Sequence, residues 1–197
     1  MSATDDFDDN TISFSYILQF CTLFKFPSNV KNTSLQLLHI INKNRTLFKN
    51  SHLLALFLGA KIEEIQENMI DKFIKFNKNK IDENIKESLI KDEMILVKLI
   101  NFNFTFNDVY LCTYSLCVEL NEKGIIKYKD TQFNEIEKIL DLMLCTDYKD
   151  IKTIVASAIN KYYRVTVEEI SQEEINKQKE KMKRVKIISR EAILNKL

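Results

Sequence analysis

Few side chains in this sequence have both the type and the setting to do chemistry. Lys61, Glu63 and Glu64 follow directly on an eight-residue run, Leu53 to Ala60, that contains no polar side chain. Glu93 lies in a second apolar neighbourhood, with Leu89, Val97 and Ile100 at i−4, i+4 and i+7 on one helical face. A carboxylate buried there without a partner is costly. Glu93 is therefore either paired inside the protein or held for a partner that supplies donors. Lys61 falls at the C-terminal end of its helix, where the helix dipole favours a cation. Spacing alone leaves three readings: an internal Lys61–Glu93 salt bridge, two solvated groups, or a pair reserved for a partner. None of these is catalytic. His39 and His52 are isolated, and there is no phosphate-binding loop and no nucleophile–base pair. Cys21, Cys112, Cys117 and Cys145 have no metal-ligand spacing and read as buried, reduced core thiols. The chemistry on offer is recognition, with no metal and no cofactor expected.

The elements that must position these groups are helices. Two Gly and one Pro in 197 residues are too few for a turn-rich β fold. With 45% apolar and 29% charged residues, the composition is that of an ordinary globular chain. A net charge of +1 argues against a general nucleic-acid binder, whose domain is usually basic. The run Leu53–Ala60 covers every direction around a helix, so that helix is buried on all sides. It is far shorter than the roughly 20 residues of a membrane span. Gly59 costs about 1 kcal/mol of helix propensity relative to Ala, and close approach of a neighbouring helix is the expected return.

Around that central helix, apolar spacing predicts helices over 12–24, ended by Pro27, and from Ser28 or Asn29 as cap through Ile41. Further helices are expected over 65–76 and 83–101, with a polar linker at 77–82. Residues 1–10 read as a flexible acidic arm without the features of a secretory signal. The sequons at Asn32, Asn44 and Asn103 are therefore read as unused, and a reducing interior is expected. A second set of helices follows. One is capped at Asn107 or Asp108 and stopped at Lys123-Gly124, one is capped at Thr131, and one spans 147–163 with Ala156-Ser157-Ala158 at its middle. Two more segments are expected over 171–184 and 189–197. The basic run from Lys177 to Lys186 reads as a solvated helix face, with contact to RNA, a phosphorylated tail or a partner protein as the other reading.

The run Leu56-Phe57-Leu58-Gly59-Ala60-Lys61-Ile62-Glu63-Glu64 resembles the central helix of the first cyclin box, of the form L-F-L-A-[AS]-K-[VIF]-E-E. Lys91 to Phe104, with Glu93, Leu96, Phe102 and Phe104 in register and Val97 and Ile100 at the two leucine positions, is similar to the cyclin pattern E-x-x-[IVL]-L-x-x-L-x-[FW]-x-[LF]. The Lys61-to-Glu93 separation also suits the family. Tyr16-Ile17-Leu18 and Leu23 to Pro27 resemble the cyclin opening, and Leu140–Leu142 with Ile154–Ala158 resembles the looser second box. The M-R-x-I-L-x-x-W docking motif of cell-cycle cyclins is missing at Phe14–Cys21. What remains looks more like the transcription-associated cyclins of the K, L and T types, with C and H as further possibilities.

The resemblance implies an all-α fold of two tandem five-helix cyclin boxes, the second degenerate, over 11–104 and 105–197. It implies a non-catalytic regulatory subunit, nuclear rather than secreted. Such a subunit forms a heterodimer with a cyclin-dependent kinase that phosphorylates the RNA polymerase II C-terminal domain. On that match Lys61 and Glu93 bind kinase backbone, and Leu58, Ile62, Val97, Phe102 and Phe104 form the apolar patch beside them. The other reading of a tandem helical repeat is a DNA-binding core like that of the B-type general transcription factor. That family's basic DNA face and N-terminal zinc ribbon are both missing here. No membrane, small-molecule or nucleic-acid partner is expected.

Overall fold

The computed structural model describes residues 5–44, 47–48, 50–65, 85–146 and 150–164. Among them all regular structure is helical: α1 (Asp5–Leu23), α2 (Ser28–Lys43), α3 (Ser51–Ile62), α4 (Ile85–Leu99), α5 (Val109–Glu122), α6 (Phe133–Thr146) and α7 (Ile151–Tyr163). The chain divides into two compact units. The first holds Met1–Asp108 with Leu144–Tyr148, and the second holds Val109–Met143 with Lys149–Leu197. The helix expected over 65–76, the linker at 77–82 and the C-terminal segments from 171 onward lie outside the described residues, apart from Ile65.

In the first unit α3 is the centre. Leu53, Leu54, Ala55, Leu56, Leu58, Gly59 and Ala60 are all buried, as a helix without a polar side must be. Helix α2 packs along it and is nearly as enclosed, with every residue from Val30 to Leu38 buried. Gly59 marks where the two come closest. A Cβ added there would stand 2.4 Å from Ser34 Oγ and 3.2 Å from the Ser34 backbone nitrogen. Ser34 is the small residue on the facing side, and its buried hydroxyl finds no hydrogen-bond partner among the described residues. Phe14, Ile17 and Phe20 of α1 and Leu89 and Leu96 of α4 complete this core.

Helix ends here rarely use glycine. At the end of α1, the Phe26 N–H donates to Cys21 O (2.9 Å) and the Lys25 N–H to Thr22 O (3.3 Å). The same paired closure joins Ile65 to Ala60 and Glu64 to Lys61 after α3, and Phe102 to Val97 and Asn101 to Lys98 after α4. This is the Schellman arrangement, which puts the residue after the helix in the left-handed region. Lys25 (φ 53°), Glu64 (φ 60°) and Asn101 (φ 51°) occupy it, and only α5 closes on a glycine, Gly124 (φ 71°). A left-handed backbone costs a residue other than Gly, Asn or Asp roughly 1–2 kcal/mol, so the ends at Lys25 and Glu64 are held against a local cost.

Several boundaries differ from expectation. Helix α1 starts at Asp5, inside the stretch read as a flexible arm. That stretch is rich in aspartate, which a helix N-terminus favours. Helix α2 is preceded by Pro27, with no side-chain cap from Ser28 or Asn29. A 3₁₀ turn, Asp130–Gln132, leads into α6 where Thr131 was expected as cap. Helix α7 starts at Ile151, capped by Asp150, whose carboxylate accepts from Thr153 N (3.1 Å) and Thr153 Oγ1 (2.6 Å). Those bonds hold the Asp150 carboxyl below the usual carboxylate range.

In the second unit α5 packs against α7, and the core is built from Val109, Leu116, Leu120, Ile136, Leu140 and Ile159. Tyr110, 1% exposed, donates from its hydroxyl to Asp141 Oδ1 at 2.5 Å. Helix α7 does not match α3. Ile154, Val155, Ala158 and Ile159 are buried, but Ala156 and Ser157 stay partly exposed. Lys152, Thr153 and Lys161 give this helix a polar side that α3 lacks, so it is covered on one face only.

Gly59→Ala is expected to destabilise the protein by about 1–3 kcal/mol, the usual cost of overpacking, although Ala is the better helix former. Ser34→Gly should recover part of that loss when combined with it. Urea unfolding of the two single variants and the double variant measures this; a stabilised Gly59→Ala protein would contradict the close crossing.

Candidate functional site: a surface ion pair at the end of the buried helix

The last turn of α3 carries Lys61 out of the core. Its ammonium forms an ion pair and hydrogen bond with Glu93 Oε1 on α4. The two groups, from separate stretches of sequence, therefore meet. The pair is not deeply internal, since the Lys61 side chain is 52% exposed and that of Glu93 15%. Lys61 Nζ also stands 5.1 Å from the centroid of the Phe57 ring, one turn back. This cation–π contact adds about 0.5–1 kcal/mol of attraction at an exposed site. Ring and carboxylate together hold the ammonium over the C-terminal end of α3, where the helix dipole also favours it.

Glu63 does something different. Its Oε2 accepts from Asn29 Nδ2 at 2.6 Å and its Oε1 from Thr33 Oγ1 at 2.7 Å. Both donors lie near the start of α2, which has no acidic residue in its first turn and no side-chain cap. The end of α3 thus supplies a carboxylate where the α2 dipole favours one. Sequence reasoning placed Glu63 beside Glu64 after the apolar run and missed this role. The only signal was the pair of short polar donors, Asn29 and Thr33, one helical turn apart.

The expected apolar patch is only partly where it was placed. Leu58 is 2% exposed and Val97 8%. Leu58 belongs to the core and offers no surface; at that level the partly exposed position of α3 is Phe57. Ile62 is half-buried. Phe102 and Phe104 are 61% and 42% exposed, so neither is used in core packing. Two neighbours of Glu93 were not anticipated, Ile90 and Met94, both about half exposed. They lie four residues apart on α4 and frame Glu93 along one side.

No group of three or more His, Cys, Asp or Glu that could hold a metal ion occurs among the described residues. No described helix is long and apolar enough to cross a membrane. His39 lies tilted against Phe14 (4.6 Å between centroids) with its Nε2 in hydrogen-bond contact with Leu144 O, and His52 lies tilted against Tyr16 (4.5 Å). In the second unit Tyr114 donates to Asp130 Oδ1 at 3.3 Å, and the nearby carboxylate charge raises its pKa. Burial pushes Tyr163 up to about 12. No family model matches this chain, and no curated protein matches it significantly in sequence. The site therefore rests on its own geometry.

Two outcomes follow. A half-exposed ion pair contributes about 0–1 kcal/mol, so Lys61→Ala and Glu93→Ala should each cost no more than about that in thermal unfolding of the isolated protein. A loss of 3–5 kcal/mol would mark a buried pair instead. The cysteines form no disulfide; Cys21, Cys112 and Cys117 are buried and Cys145 only partly. Burial pushes the Cys117 thiol up to about 12, leaving almost no reactive thiolate at neutral pH. Brief alkylation of native protein followed by mass spectrometry should modify Cys145 first and Cys117 last. Fast labelling of Cys117 would show that this core opens readily.

Proposed function

We propose that this chain is a cyclin of the transcription-associated type. It is a non-catalytic regulatory subunit, built from two cyclin boxes, that binds and activates a nuclear cyclin-dependent kinase acting on the RNA polymerase II C-terminal domain. The observation that carries the reading is the meeting of Lys61 and Glu93 at the surface. These are the two positions whose surrounding strings resemble the cyclin box, and they come together at the end of the central helix α3, whose middle is buried. Exposed Phe102 and Phe104, with Ile90 and Met94 beside Glu93, supply the apolar area that a protein interface needs around a polar centre.

In this reading the chain does no chemistry. Lys61 has hydrogens to donate and Glu93 has lone pairs to accept with, so the pair matches both the carbonyl and the N–H of a partner backbone. Binding energy drawn from this surface favours one position of the kinase's mobile regulatory helix. In that position the kinase's own lysine–glutamate pair and metal sites align. The degree of activation equals the difference in affinity for the two kinase conformations.

Purified chain is expected to show no phosphotransfer alone and to stimulate a cognate kinase from a panel of cyclin-dependent kinases. Lys61→Ala and Glu93→Ala should each weaken kinase binding by about 2–5 kcal/mol, well beyond their effect on folding. Intrinsic phosphotransfer, or full kinase affinity in both variants, would overturn the reading.

A further inference from the structure

One face of α2 carries four short polar side chains at helical spacing: Asn29, Asn32, Thr33 and Gln36. Three of them are buried, at 1%, 0% and 4% exposure for Asn32, Thr33 and Gln36. A buried amide or hydroxyl is costly unless bonded, and these are bonded to two separate places. Asn29 and Thr33 hold the Glu63 carboxylate at 2.6 and 2.7 Å. Asn32 Nδ2 and Gln36 Nε2 both donate to the Asn107 carbonyl, at 2.9 and 2.8 Å, and Gln36 Nε2 also reaches Asn32 Oδ1 at 2.9 Å.

These anchor points lie at the two ends of the candidate docking surface. Glu63 is two residues beyond Lys61, in the turn that closes α3. Asn107 ends the irregular segment that carries Phe102 and Phe104. That segment leaves α4 through two consecutive left-handed residues, Asn101 and Phe102 (φ 51° and 55°), a conformation that persists only where its surroundings impose it. Local bonds also hold it: the Asn103 N–H donates to Ile100 O at 2.9 Å, and the Thr105 N–H to Asn103 Oδ1 at 3.1 Å in an Asx-type bond. Both ends of the surface are irregular backbone, and both are tied to the same helix.

We propose that this polar face of α2 is the positioning element of the docking surface. It fixes Lys61 through Glu63, and the Phe102–Phe104 segment through Asn107, so that both are preset before a partner arrives. Thr33 and Gln36 are positioning residues. They are buried and act through the groups they hold. The preset geometry lowers the ordering cost of association. This inference rests on the kinase-binding reading for its consequence, but the clamp itself can be read on the free chain.

The test uses the full chain with Thr33→Val, which is nearly isosteric but lacks the hydroxyl, and Gln36→Met. Amide hydrogen exchange reports on local opening. Thr33→Val should speed exchange at Glu64 and Ile65 roughly tenfold, without changing Asn103 and Thr105. Gln36→Met should do the reverse, and Thr33→Ser should behave as wild type. With a kinase that wild-type chain binds, both variants should weaken affinity about tenfold and leave the stimulated rate at saturation unchanged. Uniform acceleration of exchange through the first unit would reduce the face to a general stabiliser and overturn the proposal. So would selective loosening with unchanged kinase affinity. Wild-type chain that binds no kinase, but shows the selective exchange pattern, would count against the kinase reading and leave the clamp standing.

Discussion

The close crossing of α2 and α3 at Ser34 and Gly59 is the constraint on which the first unit depends. At that point there is no room for a methyl group, so the two helices are held at one separation and one register. The register determines the rest. It lays the polar face of α2 beside the end of α3, brings Glu63 onto Asn29 and Thr33, and leaves Lys61 pointing toward α4. The apolar run that makes this possible is worth about 1.5–3 kcal/mol for each fully buried Leu or Phe side chain. The ion pair at its end contributes far less. The fold therefore does not need the ion pair, and the pair remains available for another use.

Three carboxylates near the end of α3 show how environment divides the same chemistry. Glu63 is met by neutral donors on α2 and is consumed in holding the fold. Glu93 is met by a cation that is itself half in solvent. Glu64 sits exposed at a left-handed helix end. Sequence reasoning can see that all three are Glu. It cannot see that one has donors waiting on a helix some thirty positions earlier, because that pairing exists only once α2 and α3 have packed.

Much of the helical layout was legible for a plain reason. A run such as Leu53–Ala60 has no polar side, so it admits no arrangement but burial, and a glycine within it signals a close neighbour. The meeting of Lys61 with Glu93 was legible as one of three readings, because apolar spacing around Glu93 demanded a partner. What could not be read was set by tertiary packing. Leu58 was assigned to a surface patch because local spacing does not reveal which side of α3 is enclosed at that level. Helix α7 carries Ala156-Ser157-Ala158 at its middle, yet Ala156 and Ser157 stay partly exposed, because small residues permit close packing without enforcing it. The helix end at Glu64 carries no local signal, whereas Pro27 follows Lys25 and Asn101 is a residue type that accepts the left-handed region.

Those left-handed helix ends have a consequence for how such a chain tolerates change. A stop written with glycine is lost whenever the glycine is. Here the stops fall on Lys, Glu and Asn, and also on Arg164 (φ 55°) after α7, so the left-handed cost is already carried and exchange among unbranched side chains adds little to it. The exceptions are Ile, Val and Thr, whose branched Cβ makes a positive φ a true outlier. Composition can therefore drift widely at these four positions, toward lysine and asparagine above all. The filter is against isoleucine, the other residue this sequence uses heavily.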